Sequence, residues 1–284
     1  MAPPGRPSLP PAFATPEGRL ATCGIAPPRG GDHIGSMPDA LGATAAIALV
    51  FILAGFVKGV IGMGLPTVAM GFLTLLMPPS EAATVLILPS FVTNVWQLAA
   101  GPRLVALLRR LWPMQLAAAL ATIAAARWLG PVNSAAAVTG LGAALVLYGL
   151  VSLAPLRLGL PASAESWVGP LVGAATGIVT ALTGVFVLPA VPYLQALRLD
   201  PEDLVQALGL SFTVSTLALA VALAADGQFQ APHLGASLLG LVAALAGMWL
   251  GQALRTRMRP ATFRLWFLLG LMGLGAHLML RAAL

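Results

Sequence analysis

A chain of 284 residues in which 58% are hydrophobic and 8% charged is not an ordinary soluble domain, where about a quarter of residues are charged; it reads as a polytopic membrane protein. The formal charge of +6 rests on 15 basic and 9 acidic side chains scattered through short loops, which excludes the clustered basic face that nucleic-acid binding needs. One cysteine, Cys23, excludes an intrachain disulfide and a thiol-rich metal centre.

Residues 1–38 hold nine prolines among glycine, serine and scattered charges, with no apolar run long enough for a signal peptide. The stretch reads as a disordered tail. Met37 stands just before the first hydrophobic segment, so a start of translation there is the alternative. From Leu41 onward ten apolar segments follow, at 41–62, 64–77, 82–100, 112–129, 134–154, 167–182, 184–197, 203–225, 232–254 and 261–282. Most approach the roughly 20 residues that cross a bilayer as a helix. The second and seventh are short. All six tryptophans, Trp96, Trp112, Trp128, Trp167, Trp249 and Trp266, fall near segment ends, where an indole prefers the headgroup zone.

The loops orient the chain. With each segment taken as one crossing, Arg103, Arg109, Arg110, Arg157, Arg198, Arg255, Arg257 and Arg259 share one side, which the positive-inside rule makes cytoplasmic, with both termini outside. Glu81 and Asp226 lie opposite, with Arg127 as a snorkelling anchor.

Two glycine stretches organise the chain. Ala54-Gly55-Phe56-Val57-Lys58-Gly59-Val60-Ile61-Gly62-Met63-Gly64-Leu65-Pro66 is answered by Gly173-Ala174-Ala175-Thr176-Gly177-Ile178-Val179-Thr180-Ala181-Leu182-Thr183-Gly184. Each pairs a Gly-xxx-Gly, which lets helices approach closely in lipid, with a helix break that frees backbone amides able to attract an anion. Downstream of both come a turn, a carboxylate (Glu81; Glu202 and Asp203) and Ser-Phe (Ser90-Phe91; Ser211-Phe212). The expected fold is therefore all-α, with a first repeat over 39–155 and a second over 156–284. Five segments each is an odd number, so the second copy enters the membrane inverted, the arrangement of many secondary transporters.

The candidate solute site combines amides at Gly59, Gly62 and Gly64 with Thr180, Thr183 and Gly184, the breaks being expected to face each other. Ser90, Thr93 and Asn94 in one half and Ser211, Thr213 and Ser215 in the other are candidates to line a polar path; the alternative is that such hydroxyls bond their own helix. Lys58, the only lysine, either attracts an anionic solute or snorkels to the interface. The glycines alternatively serve close packing alone. The three acidic residues are read as helix caps, and His277 as packed. No pair of histidines or carboxylates has metal-ligand spacing, so no cofactor is expected. Gly209-Leu210-Ser211-Phe212-Thr213 lacks the second glycine of a nucleophile elbow, which argues against a membrane hydrolase.

The runs Gly177–Leu197 and Val205-Gln206-Ala207-Leu208-Gly209-Leu210-Ser211-Phe212, with the opening Ala54–Gly64, resemble the TauE/SafE family of sulfite exporter-like permeases, over essentially everything after Met37. That resemblance implies an inner-membrane, multi-pass protein moving sulfite, organosulfonates or related small anions. The expected partners are a small anionic solute and the lipid bilayer, with a homodimer allowed. A carrier of a neutral or cationic metabolite is the alternative.

Overall fold

The computed structural model describes residues 37–129, 135–154, 159–229, 231–257 and 259–283. The tail reading over 1–36 and the placement of Arg157 lie outside them. Ten helices follow in order: α1 (Met37–Ile61), α2 (Leu65–Leu73), α3 (Pro79–Ala99), α4 (Leu104–Leu129), α5 (Ala135–Leu153), α6 (Ala162–Thr183), α7 (Ala190–Ala196), α8 (Pro201–Ala225), α9 (Ala231–Arg255) and α10 (Pro260–Ala283). Among the described residues there is no strand, and eight helices are long and apolar enough to cross a membrane. α2 and α7, at 9 and 7 residues, are too short to span a bilayer as helices.

The burial pattern suits a protein in lipid. Leu49, Leu120, Val221, Val242 and all six tryptophans are exposed, whereas Lys58, Ser90, Asn94, Thr180, Ser211 and Thr216 are buried. A hydrocarbon solvent gives helices no hydrophobic reason to associate, so close backbone packing and interior polar contacts hold them instead.

The glycines supply that packing. A Cβ at Gly55 or Gly59 of α1 would run into the carbonyl oxygen of Ala244 or Met248 on α9, and Gly247 and Gly251 present the same backs to Ile52 and Phe56. On α6, Gly173 and Gly177 sit against the carbonyls of Met114 and Ala118 on α4. In both pairs residue numbers rise together, so α1 runs parallel to α9 and α6 parallel to α4. α3 and α8 pack antiparallel, Gln97 reaching Val205 and Ser90 reaching Thr216. α5 and α10 do the same, with Gly142 against Gly275 and Gly149 against Met272. Exchanging each helix with the one five places on maps this set of pairs onto itself.

Helix directions gather the arginines. Arg103, Arg109, Arg110, Arg198, Arg255, Arg257, Arg259 and Arg264 lie at the end of the bundle where α1, α3 and α9 finish and α4, α6, α8 and α10 begin; Arg127 and Arg281 lie at the other. Of the boundaries that differ from the sequence reading, the largest shift is at the start of α4. α4 starts at Leu104 rather than 112, so Arg109 and Arg110 are helical, and Arg110 forks onto Glu165 of α6 at 2.9 and 2.5 Å. A helix persists past its apolar stretch when a charged side chain there finds a partner on the neighbouring helix.

Replacing Gly177 by Val should lower the melting temperature in detergent, the overpacking costing about 1–3 kcal/mol, because the obstacles are backbone atoms of Ala118 and Thr122. Gly273→Ala, where an added Cβ meets nothing within 4 Å, should leave stability unchanged or raise it.

Candidate functional site

α1 ends where the sequence placed its break. Gly62 adopts φ 84 and Gly64 φ 106, left-handed angles that cost a residue with a Cβ far more than glycine. The Gly62 amide closes α1 on the Lys58 carbonyl at 2.7 Å. Gly64 then caps α2, with Pro66 in its first turn and the Thr67 hydroxyl donating to the Gly64 carbonyl at 2.8 Å.

Lys58 precedes that break by one turn and is 4% exposed. Its side chain does not snorkel. The ammonium donates to Thr93 Oγ1 at 3.1 Å and to Asn94 Oδ1, both on α3. An ammonium has three N–H groups, and two have acceptors here. Both acceptors are neutral, and among the described residues no carboxylate pairs with it. A charge within a membrane helix costs on the order of 3 kcal/mol or more; the two hydrogen bonds offset part of that, but they supply no negative charge.

Beyond Asn94 the polar contacts continue. Asn94 Nδ2 donates to Ser90 Oγ at 3.1 Å, and Ser90 Oγ lies 3.3 Å from Thr216 Oγ1 on α8. Thr216 donates its hydrogen to the Phe212 carbonyl at 2.6 Å, so Ser90 is the donor to Thr216. Every donor in the chain Lys58, Asn94, Ser90, Thr216 therefore points the same way. Lys58 also lines a cavity of about 220 Å³ with Gly59, Gly62, Thr93, Gln97, Gln252 and Arg255. Through Gln97, Ala100, Val205 and Arg255 it adjoins a wider cleft of about 490 Å³ at the arginine end.

The second break forms a separate group. Gly184 has φ 68, and its amide is bonded to the Thr180 carbonyl at 2.8 Å, while the Val185 amide is bonded to Thr183 Oγ1 at 3.2 Å. The Gly184 amide, expected to be a free donor, is thus satisfied within the chain, as is that of its neighbour Val185. The hydroxyls of Thr180 and Thr183 donate to their own helix, at Thr176 and Val179. Gly59 likewise serves first as a contact with α9.

The sequence reading set the two breaks face to face. Here they lie toward opposite ends of the bundle, Gly62 beside Val205 near the start of α8 and Gly184 beside Ala83 near the start of α3, because α3 and α8 are antiparallel. Met70 of α2, the helix that follows the first break, packs on Gly184. Ser211 and Ser215, buried on one face of α8, have no hydrogen-bond partner.

Sequence reasoning missed the end of α3. Gln97 Nε2 donates to the Val205 carbonyl at 2.8 Å, Gln206 Nε2 donates to Leu98 at 2.9 Å and Gly101 at 2.7 Å, and Arg103 pairs with Asp203 at 3.3 Å. Asp203, read as a cap, is thus also one partner in the tie between α8 and the α3–α4 turn. The only available signal was two glutamines close to segment ends, which is too common a pattern to single out.

Removing a partner from a buried charge leaves that charge unsatisfied, whereas removing both is close to neutral. Asn94→Leu should therefore destabilise the ligand-free protein by about 1–3 kcal/mol, while Lys58→Met/Asn94→Leu should recover most of that loss in detergent melting curves.

With this geometry in place, the family model described as sulfite exporter TauE/SafE matches residues 47–278, a span containing both breaks and the whole polar chain. No curated protein and no solved structure matches the chain.

Proposed function

The chain belongs to the sulfite exporter TauE/SafE family, a family of membrane transporters and not of enzymes, and on that premise we propose that it is a secondary transporter carrying a small, sulfur-containing anion, sulfite or an organosulfonate, across the inner membrane. One observation carries this reading: a buried ammonium, without a counter-charge and with one N–H left over, at the wall of a cavity that adjoins a cleft at the arginine end. A small anion there supplies the missing charge. Lys58 would be its electrostatic partner, Gly62 and Gly64 would shape the approach, and Asn94 and Ser90 would pass hydrogen bonds to it. Thr180, Thr183 and Gly184 form the separate group at the second break and Ser211 lies on α8; the reading rests on none of them.

We further read the bundle as ten segments in two inverted repeats, 39–155 and 156–284, with α2 and α7 returning the chain across the membrane in short broken pieces. Helix directions support this. Were the eight long helices simply to alternate, α3 would run parallel to α8 and α5 parallel to α10, yet both pairs are antiparallel. The arginine-rich end is then the cytoplasmic one. The alternative, a neutral or cationic solute with Lys58 snorkelling, is disfavoured by the interior position of the ammonium.

In proteoliposomes, Lys58→Met should abolish flux of sulfite and of an alkanesulfonate while the protein stays folded. A sulfonate at a hundred times its Kd should stabilise the wild type by about 2.7 kcal/mol and leave Lys58→Met unmoved. Undiminished anion flux in a folded Lys58→Met protein would refute the reading.

A further inference from the structure

The polar chain that begins at Lys58 ends in a second cavity. Thr216, its last hydroxyl, lines a half-open, mostly apolar chamber of about 470 Å³ between α3, α8 and α9, walled by Ile87, Leu88, Phe91, Leu217, Phe229 and Leu234, with Thr84, His233 and Ser237 as its other polar groups. Lys58 and Thr93 line the first cavity. The two spaces thus lie at the two ends of one run of hydrogen bonds, Lys58 to Asn94 to Ser90 to Thr216. They also lie toward opposite ends of the bundle. The first takes its walls from the last turns of α3 and α9, the second from the early turns of α3 and α9 and the later half of α8.

We propose that the Ser90–Thr216 hydroxyl pair is the constriction through which the transported anion crosses, and that the chamber beyond it is the outward half of the path. This rests on the anion-transporter reading above. Chemistry singles out that contact as the place to open. At 3.3 Å it is longer than the roughly 2.7–2.8 Å usual between hydroxyls, and it joins two neutral groups. Each keeps another partner when it parts, Ser90 with Asn94 Nδ2 and Thr216 with the Phe212 carbonyl. An anion passing between the two helices can take the hydrogen that Ser90 gives to Thr216. The opposite end of the same helix pair is fastened more firmly, by Gln97 to Val205, by Gln206 to Leu98 and Gly101, and by the Arg103–Asp203 ion pair. α3 and α8 are therefore tied at the arginine end and, among the described residues, joined by one long hydroxyl contact at the chamber end, so the side-chain hydrogen bonding between them is weakest there.

The chain has a single native cysteine, Cys23, and Cys23→Ser gives a thiol-free background. In that background S90C/T216C, reconstituted and assayed with an alkanesulfonate (sulfite itself cleaves disulfides), should carry the anion when reduced. On oxidation to the disulfide, flux should fall to the level of empty vesicles and return with reductant. Full flux through a protein verified as cross-linked would overturn the proposal. A second measurement leaves the constriction intact. Ser237→Cys alone should react with a membrane-impermeant, sulfonate-bearing thiosulfonate added from the face opposite the arginines, and added alkanesulfonate should slow that reaction. Labelling by lipid-soluble maleimide only would make the chamber a lipid-filled groove and overturn the proposal as well. Absence of any sulfite or sulfonate flux in the wild type would instead count against the transporter reading, and the Ser237→Cys labelling would still decide whether the chamber admits an anion.

Discussion

A positive charge without a negative one beside it sets the terms for this bundle. Lys58 stands inside α1, its ammonium held by a hydroxyl and an amide oxygen of α3, and neither can neutralise it. Burial of such a group is tolerated in membrane proteins mainly where it serves a solute path. Its surroundings fit that use: the cavity on one side, and on the other a run of donors and acceptors that spreads the polarity to α8.

The rest of the architecture keeps that interior polar yet closed. Glycine contacts between α1 and α9 and between α6 and α4 bring backbones together so tightly that the outer pairs have little room to shift. Close packing of this kind passes on strain rather than absorbing it. The α3–α8 pair at the centre shares one such contact, Gly209 against the backbone of Gln97 and Leu98, but adds side-chain hydrogen bonds, through Gln97 and Gln206 at one end and Ser90 and Thr216 further along, and side-chain hydrogen bonds can be exchanged for bonds to a passenger.

The elements most legible in the sequence were those governed by local chemistry. Long apolar runs gave the eight long helices, and glycine marked both breaks, because Gly62, Gly64 and Gly184 do take the left-handed angles that other residues avoid. Features that depend on a neighbour were not legible. Whether Gly59 offers an amide or a flat back is decided by α9, which lies against it. Thr183, placed in the solute site, turned its hydroxyl onto its own helix and onto the Val185 amide instead, a short-range competition that a residue pattern does not reveal. The start of α4 was misplaced because hydropathy falls at Arg109 while the helix, fastened to Glu165, continues. Thr216 went unnoticed since its importance comes only from standing opposite Ser90, 126 residues earlier.

The central claim concerns where the passenger's charge resides, and a heavy-atom sulfonate locates it most directly. Crystals grown with 2-bromoethanesulfonate should show an anomalous bromine peak in the cavity bounded by Gly62, Gln97 and Arg255, with sulfonate oxygens within hydrogen-bonding distance of Lys58 Nζ. Density placing the sulfonate elsewhere, with the Lys58 cavity empty and its ammonium still bonded only to Thr93 and Asn94, would contradict it.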